Sequence, residues 1–527
     1  MQTGFWERSW LWLGLALLSL IPFGLVDVPP LVDLPGHIGR YHIALDLDRS
    51  LYLARYYDFH WAVIGNLGAD LLVVPLSRIM TVERAAWTIA AAVPPLTILG
   101  IWATARAVHG RVPPTALLAL SFVFSLPFFF GFLNYVLAAA LALLAFALWV
   151  TLGNRPTLRA ALFVPIAGLI WLCHASGWGL LGLLIAGYEA AQAGRLRDLA
   201  RHWLKRLWPL LTPVPAMLIW QGEGDGGIAF TPYWLSNRLV WLISAIRHGD
   251  MALDIGLALI VYAVLLGLLV TKRVRILPAM AVSAAFVAVA WALMPSAMFR
   301  SFYADMRLTP MMLIAGILAL TWSGSAAAAA RVAWVGVALF VAQLALVSIG
   351  WAKQDQAYER HLQALDHVPA GSRLLALMPQ WSFRAPPWLC GADSWRLDAL
   401  SHLPDLAIVR RDAFVNTQWA RAGSQLLVVR YNRDTRYHAD PSQFVIVGAG
   451  CRGSHKPAMR KILDEFPRER FDFVWLLRTS QGLPSLPGWL ERVYADEDSA
   501  LYRISVKQLG QMPAVPSHRE PHSATLR

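Results

Sequence analysis

Residues 9–26 of the chain read SWLWLGLALLSLIPFGLV, and the stretch VDLPGHIGRY follows at residues 32–41, in the first long polar segment. An apolar run of about eighteen residues is long enough to cross a bilayer as a helix. Arg8 precedes the run, which predicts a helix that leaves from the cytoplasmic side. No small-x-small cleavage motif follows, so we expect an uncleaved first span and not a signal peptide. The polar segment at residues 27–66 is therefore predicted to lie outside the membrane.

The composition excludes an ordinary soluble domain. Of 527 residues, 57% are hydrophobic and 15% are charged, and the mean hydropathy is +0.48. Soluble domains are nearer a quarter charged. The net charge of +13 fits a multi-pass membrane protein, because cytoplasmic loops collect Lys and Arg. We therefore predict membrane lipid, and no nucleic acid, as a partner.

Further apolar runs recur along the chain. They lie at residues 85–105, 115–150, 158–188, 207–220, 251–270, 276–294, 308–322 and 331–350. Two of them break in the middle, at SLPFFFGFLNY and at CHASG, and each is predicted to form a hairpin of two spans. The total is about eleven crossings, with residues 1–351 as the membrane domain and the N-terminus in the cytoplasm. The basic clusters at residues 106–111, 195–206 and 271–275 then all face the cytoplasm.

The composition changes after the last apolar run. Residues 352–507 alternate helical and strand patterns, with RLLAL, QLLVVRY, FDFVWLL and SALYRISV as strands, which predicts an external, periplasmic α/β domain. Residues 508–527 are predicted to be a disordered tail. Cys390 and Cys451 both lie in the external part, where a disulfide is chemically allowed, and the sequence leaves open whether they are close enough to form one.

The acid and imidazole of VDLPGHIGRY are the strongest candidates for chemistry. If a helix begins after Asp33, then His37, Arg40 and Tyr41 project on the same side as Asp33. An acid, an imidazole, a guanidinium and a phenol together suffice for a general base with phosphate contacts. Asp33 fits equally well as the cap of a helix whose first turn holds Pro35. A divalent metal held by Asp33 and His37 is also left open.

Other acids of the first loop have plainer explanations. Acids and aromatic residues alternate through residues 27–66, which predicts helices lying in the membrane interface. Asp46 and Asp48 form a DLD motif, for which a solvated helix end is favoured over a metal site. Asp70 differs because it lies in a short, Pro-containing run at residues 67–80, interpreted as a half-inserted helix. An acid that enters an apolar layer is costly and is usually paired or functional, so Asp70 is a candidate for the site.

Later outside loops offer possible partners for the acid. His174 lies in the turn of the second hairpin beside Ser176, where a substrate contact competes with a purely structural role. Arg300, Asp305 and Arg307 crowd the last short outside loop. They form either a salt-bridged anchor at the end of a span or a cationic clamp for a phosphate, since arginine offers a bidentate fork.

DLPGHIGR at residues 33–40 resembles the Asp-Glu-x-His-Phe-Gly segment of the protein O-mannosyltransferases. FGFLNYVLAAALALL and YADMR resemble features of bacterial members of the same broad GT-C class of polyprenyl-phosphate-sugar glycosyltransferases, which includes aminoarabinose transferases. The resemblance implies that Asp33 is the base that deprotonates the acceptor and that Arg300 or Arg307 holds the lipid phosphate. The sequence departs from the mannosyltransferase pattern in two ways: Leu34 follows the acid, and His37 stands one place later than their histidine.

We therefore expect an inverting glycosyl transfer at the outer face of a bacterial inner membrane. The donor would be a polyprenyl-phosphate sugar, and the acceptor a hydroxyl of a glycan, lipid or protein. A transporter or flippase for a lipid-linked solute is the alternative, because Pro- and Gly-interrupted spans also suit transporters. A non-catalytic scaffold with an external binding domain is a second alternative. The sequence leaves the sugar, the acceptor and the oligomeric state open.

Overall fold

The computed structural model describes residues 4–193, 196–219, 227–230, 234–298, 301–380, 395, 397, 399–420, 425–438, 445–446 and 455–505. These residues are mostly α-helical. The α-helices, numbered α1 to α18 in chain order, are Ser9–Leu18, Leu34–Asp46, Leu53–Tyr56, Gly68–Leu76, Val82–His109, Leu126–Phe129, Leu133–Thr151, Pro156–Cys173, Ala175–Gln192, Leu199–Leu207, Val214–Ile219, Trp234–Ile243, Met251–Val270, Pro278–Leu293, Ala304–Leu318, Ala326–Leu362, Leu406–Arg411 and Lys456–Glu465.

Short 3-10 segments and strands complete the described structure. The 3-10 segments are Phe5–Glu7, Ile21–Leu25, Pro114–Phe122, Leu196–Asp198, Trp208–Leu211, Gln363–His367, Leu403–Asp405, Arg468–Arg470 and Thr479–Gln481. The strands, β1 to β14, are Tyr57–Phe59, Ile228–Ala229, Val274–Ile276, Ala297–Met298, Ser301–Phe302, Leu320–Trp322, Arg373–Leu377, Pro379–Gln380, Phe414–Val415, Leu427–Val429, Val445–Ile446, Phe473–Leu477, Leu490–Ala495 and Ser499–Ile504.

Five helices of the described chain are long and apolar enough to cross a membrane. They are Val82–His109, Leu133–Thr151, Pro156–Cys173, Met251–Val270 and the continuous helical stretch Ala326–His367. Ser9–Leu25 and Pro278–Leu293 are shorter apolar helices. The membrane-protein class predicted from the composition is thus supported, while the count of about eleven crossings stays a prediction.

The first limb of the predicted 115–150 hairpin differs from expectation. It is the 3-10 segment Pro114–Phe122, in which every residue is buried, and at about 2 Å per residue it is too short to cross a bilayer. The segment packs against α5, α15 and α16. A segment enclosed by other helices is apolar on all sides, and this composition imitates that of a membrane span.

One helix connects the apolar part of the chain to the C-terminal part. α16 continues without a break from Ala326 to Leu362, so the predicted domain boundary between residues 351 and 352 falls inside it. The apolar composition ends near Gly350, and the following turns are polar. The change in composition therefore marks where the surroundings of the helix change and not where the helix ends.

The C-terminal part contains a five-stranded sheet in the order β13-β14-β12-β7-β9. β12 pairs in parallel with β7 and antiparallel with β14. The segments RLLAL, FDFVWLL and SALYRISV are thereby confirmed as strands. QLLVVRY contains β10, which joins a different sheet: it pairs antiparallel with β1 of the first polar loop, with Tyr57 opposite Val429. The same loop provides α2, which packs against α17 and the 3-10 turn Leu403–Asp405. α2 therefore lies between the C-terminal part and the helices of the membrane part.

Candidate active site

The site begins at the N-terminus of α2. Asp33 occupies the N-cap position and proline stands in the first turn, but the Asp33 carboxylate makes no capping hydrogen bond. The main-chain nitrogen of Asp33 instead donates to the carbonyl oxygen of Phe130 at 3.0 Å. The capping alternative for this carboxylate is therefore not what the structure shows.

The turn before α7 holds Asp33 in place. Gly131 has φ of +76°, a conformation that residues with a Cβ rarely adopt. A Cβ added at Gly131 would lie 3.0 Å from the main-chain nitrogen of Asp33. Only glycine allows the turn to approach the start of α2 this closely. The segment SLPFFFGFLNY, predicted as a hairpin tip, thus forms one wall of the site.

Arg307, at the start of α15, provides the cation opposite the acid. Its guanidinium lies over the ring of Phe132 at 4.3 Å, and its charge interacts electrostatically with Asp33. Its main-chain oxygen accepts a hydrogen bond from the Tyr135 hydroxyl at 2.5 Å. The tip of the hairpin therefore orients both Asp33 and Arg307, although 274 positions separate them in the sequence.

His174 contacts the same arginine. It caps α9, with its Nδ1 atom 3.0 Å from the main-chain nitrogen of Ser176. Its Nε2 atom lies 3.2 Å from Nη1 of Arg307. A neutral imidazole has one N–H, so it cannot accept at both nitrogens, and one of these two contacts is not a full hydrogen bond. The structure thus brings the predicted residues Asp33, His174 and Arg307 to one place.

The C-terminal part contributes a second histidine that the sequence did not single out. His402 lies 3.1 Å from Asp405 through Nδ1, and Asp405 also accepts from the Thr417 hydroxyl at 2.5 Å. Although burial acts to lower it, the hydrogen bond to Asp405 and the charges of Asp405 and Asp33 raise the pKa of His402. When this imidazole is protonated, its charge favours the ionised form of Asp33.

His37 differs from His402. Burial lowers the pKa of His37, and the positive charges of Arg40 and His402 act in the same direction. Its ring packs edge-on against Trp419, with 5.4 Å between centroids. Its Nδ1 atom is buried, with no hydrogen-bond partner among the residues that the structure describes. His37 is therefore a neutral imidazole in the wall of the site, one helical turn from Asp33.

Arg40 and Asp70, which were both predicted to contact the substrate, are paired with each other. Arg40 and Asp70 form a buried ion pair at 2.9 Å, and the side-chain amide of Asn134 donates to Asp70 at 3.2 Å. The ring of Tyr41 lies 5.2 Å from the Arg40 guanidinium. These contacts tie α2, α4 and α7 together, and the charges cancel within the protein core.

Two glycines of α2 allow the C-terminal part to reach the site. A Cβ at Gly36 would lie 1.9 Å from the Trp419 ring and 2.9 Å from a carboxylate oxygen of Asp405. A Cβ at Gly39 would lie 2.9 Å from the side-chain nitrogen of Gln418. The spacing GHIG places both glycines on one helix face. This spacing is the signal in the sequence that a second segment packs closely there.

The remaining predicted residues have other positions. Asp305 accepts from the Trp241 indole at 2.9 Å and pairs with Arg238 at 3.3 Å, as the anchor alternative predicts. A carboxylate oxygen of Asp46 lies 3.3 Å from Nδ1 of His42 at the end of α2. Arg300 lies outside the described residues, as do the two external cysteines of the possible disulfide. No group of three or more potential metal ligands occurs within the described ranges.

No protein-family model matches this sequence, and no curated protein matches it. Two solved structures of ArnT from Cupriavidus metallidurans are similar to the chain, one bound to undecaprenyl phosphate and one in the apo state. Each is 12% identical, and each match covers 94% of this chain and 98% of the other, with TM-scores of 0.48 and 0.45.

Proposed function

We propose that this chain is a membrane glycosyltransferase that moves a sugar from a polyprenyl phosphate to a hydroxyl acceptor with inversion at the anomeric carbon. The observation that carries the proposal is the placement of Asp33. Its carboxylate does not cap α2, its main chain lies against the Gly131 turn, and its charge interacts with that of Arg307. A carboxylate opposite a guanidinium supplies a base for an incoming hydroxyl and a cation for a leaving phosphate.

In the proposed reaction the acceptor oxygen attacks the anomeric carbon while Asp33 takes the hydroxyl proton. The bond between the anomeric carbon and the phosphate oxygen breaks, and the electron pair leaves with the phosphate. Arg307 stabilises the charge that grows on this phosphate. A single displacement of this kind inverts the configuration at the anomeric carbon. His402 acts through Asp33, because a positive imidazole lowers the fraction of Asp33 that is protonated.

The membrane setting supports a lipid-carried donor. α7, α8 and α9 end at or begin near the site residues Tyr135 and His174, so a polyprenyl chain lying among these helices would present its phosphate to Arg307. We also propose that the site lies on the outer side of a bacterial inner membrane and that the C-terminal domain is periplasmic. This orientation is based on the charge pattern of the loops. The nature of the sugar and of the acceptor is what the experiment below determines.

The test is a transfer assay with the purified full-length protein and radiolabelled polyprenyl-phosphate sugars, followed by mass analysis of the products. We expect covalent transfer from one donor, and a loss of about 10²- to 10⁴-fold in Asp33→Asn, the range typical of a lost general base. Asp46→Asn is the matched control, since that acid lies at the other end of the same helix. Full activity of Asp33→Asn would overturn the proposal. Movement of intact lipid-linked sugar across vesicles without transfer would favour a transporter.

A further inference from the structure

A buried acid organises one end of the helix bundle, away from Asp33. The side chain of Glu189, near the C-terminus of α9, is 2% exposed. It accepts from the Trp149 indole of α7 at 2.8 Å and pairs with Arg159 of α8 at 3.3 Å. α9 follows His174, which belongs to the site proposed for glycosyl transfer, and its 18 residues span about 27 Å. The Glu189 cluster therefore lies at the opposite end of these helices from that site.

The same acid holds a short basic helix, α10, against the bundle. Nε2 of His202 lies 2.8 Å from Oε2 of Glu189, and Nη1 of Arg206 lies 3.7 Å from the same oxygen. The Trp203 indole donates to the main-chain oxygen of Ala186 in α9 at 3.1 Å. His202, Trp203 and Arg206 are spaced as neighbours on one side of a helix. Side-chain contacts thus fix this inner face of α10 to the protein.

The outer face of α10 points away from the bundle and continues into the next residue of the chain. Its exposed side chains recur at spacings of three, one and three, which places them on one face: Arg201, Leu204, Lys205 and Trp208. Leu204 is 76% exposed and Trp208 is 51% exposed. Two large apolar side chains therefore alternate with two cations on one surface.

This combination is unfavourable in water and suits the surface of a bilayer. Large exposed apolar side chains mark a surface that is covered by another phase or partner, and tryptophan settles at the level of the lipid head groups. Lysine and arginine extend past apolar neighbours to reach the polar layer. The length of α9 is close to the thickness of a hydrocarbon core, about 30 Å. α10 is therefore positioned at the second membrane interface.

The charge of the outer face is not neutralised by neighbouring acids. Arg201 and Lys205 have no ion-pair partner in any range that the structure describes. Asp198 precedes α10 and lies 3.9 Å from Arg197, with both side chains more than half exposed, so this pair contributes little. Glu189 is buried on the other side of the helix. The outer face is therefore complementary to head groups with a net negative charge.

We propose that the outer face of α10 binds anionic phospholipids of the leaflet opposite the transfer site. Leu204 and Trp208 enter the apolar edge of this leaflet, and Arg201 and Lys205 contact the lipid phosphates. The charge pattern of the loops makes this leaflet the cytoplasmic one. The inference does not rest on the proposed transferase activity, because its residues are separate from the Asp33 cluster.

The test is photo-crosslinking of the full-length protein in phosphatidylcholine nanodiscs that contain a small fraction of photoactivatable phosphatidylglycerol or, separately, photoactivatable phosphatidylcholine of the same chains. Peptide mass mapping then measures the lipid adducts on residues 197–208. We expect phosphatidylglycerol to label this segment about 10- to 30-fold more than phosphatidylcholine, the effect of roughly two basic side chains near an anionic head group. R201Q/K205Q should reduce the phosphatidylglycerol adducts to the phosphatidylcholine level.

The matched control is K272Q/R273Q, which removes one lysine and one arginine from the exposed turn after α13. This variant should leave the labelling of residues 197–208 unchanged, as should Asp33→Asn. Unlabelled phosphatidylglycerol should displace the adducts in the unsubstituted protein, a measurement that needs no variant. Equal labelling by the two lipids would reduce α10 to an anchor without lipid preference and overturn the proposal. Labelling that survives R201Q/K205Q, or falls equally in K272Q/R273Q, would also overturn it.

Discussion

The first turn of α2, which Asp33 precedes as the N-cap residue, and the second turn each carry a charged side chain, and the two have opposite surroundings. In the first turn, Asp33 makes no capping bond and faces Arg307 and His402, charges that come from distant parts of the chain. In the second turn, Arg40 is closed off by Asp70 in a buried ion pair at 2.9 Å. The comparison separates a cluster that can change its charge during a reaction from one whose charges hold the fold together.

The largest decrease in the free energy of unfolding should follow removal of the counter-charge of Arg40, in the second turn. Asp70→Asn leaves Arg40 buried without a counter-charge, which typically costs about 3 kcal/mol or more. Asp33→Asn should cost less, because Arg307 keeps its contacts with the Phe132 ring and with His174. Chemical denaturation in detergent, followed by circular dichroism, compares the two variants. Equal destabilisation would remove the distinction between the two turns.

Substitution of Arg307 tests the role of the cation that interacts with Asp33. Arg307→Lys keeps a positive charge but loses the planar guanidinium that lies on Phe132 and reaches His174. We expect transfer to fall about 10- to 100-fold with little change in the unfolding midpoint. Arg238→Lys is the control, since Arg238 pairs with Asp305 in the neighbouring anchor. A loss equal to that of the control would mean that Arg307 is also only an anchor.

The glycine face of α2 tests whether the C-terminal part completes the first turn. Gly36→Ala places a methyl group 1.9 Å from the Trp419 ring, and relief of such an overlap costs about 1–3 kcal/mol. We expect reduced transfer and faster proteolysis of the C-terminal part. Gly14→Ala is the control, because a Cβ at that helical glycine meets no atom within 4 Å. Unchanged proteolysis of Gly36→Ala would show that the two parts do not need this contact.

Local sequence patterns predicted individual helices and strands better than they predicted which of these elements contact each other. The apolar run that became α13 and the strand FDFVWLL depend on neighbouring residues, so their pattern is visible in the sequence. The pairing of β1 with β10 joins residues about 370 positions apart, and no local period records it. For the same reason the helical spacing of Asp33 and His37 is visible in the sequence, whereas the pairing of Arg40 with Asp70 and the approach of His402 are not. Helical spacing shows which residues lie together on a helix but not which distant groups they meet.

Substitution of His402 should have the smallest effect on transfer at neutral pH. Its more specific effect should be on how transfer depends on pH. The pKa of His402 is raised in the folded protein, so its charge persists above its ordinary value of about 6.5 and is lost as the pH rises through the folded pKa. The charge that His402 contributes to its contact with Asp405 follows the same direction: it is present below the ordinary pKa and is lost as the pH rises through the folded pKa.

We therefore expect transfer to decline on the alkaline side, because the neutral imidazole no longer attracts the Asp33 carboxylate and helps to hold it in position. His402→Gln should reduce transfer by less than about tenfold at neutral pH, since His402 acts through Asp33 and not on the substrate. The variant should also lose the part of the alkaline decline that belongs to this imidazole. His367→Gln, at an exposed histidine of the C-terminal part, serves as the control. A pH profile of His402→Gln parallel to that of the wild type would assign His402 to the fold alone, and the first turn of α2 would then depend on Arg307 for its charge.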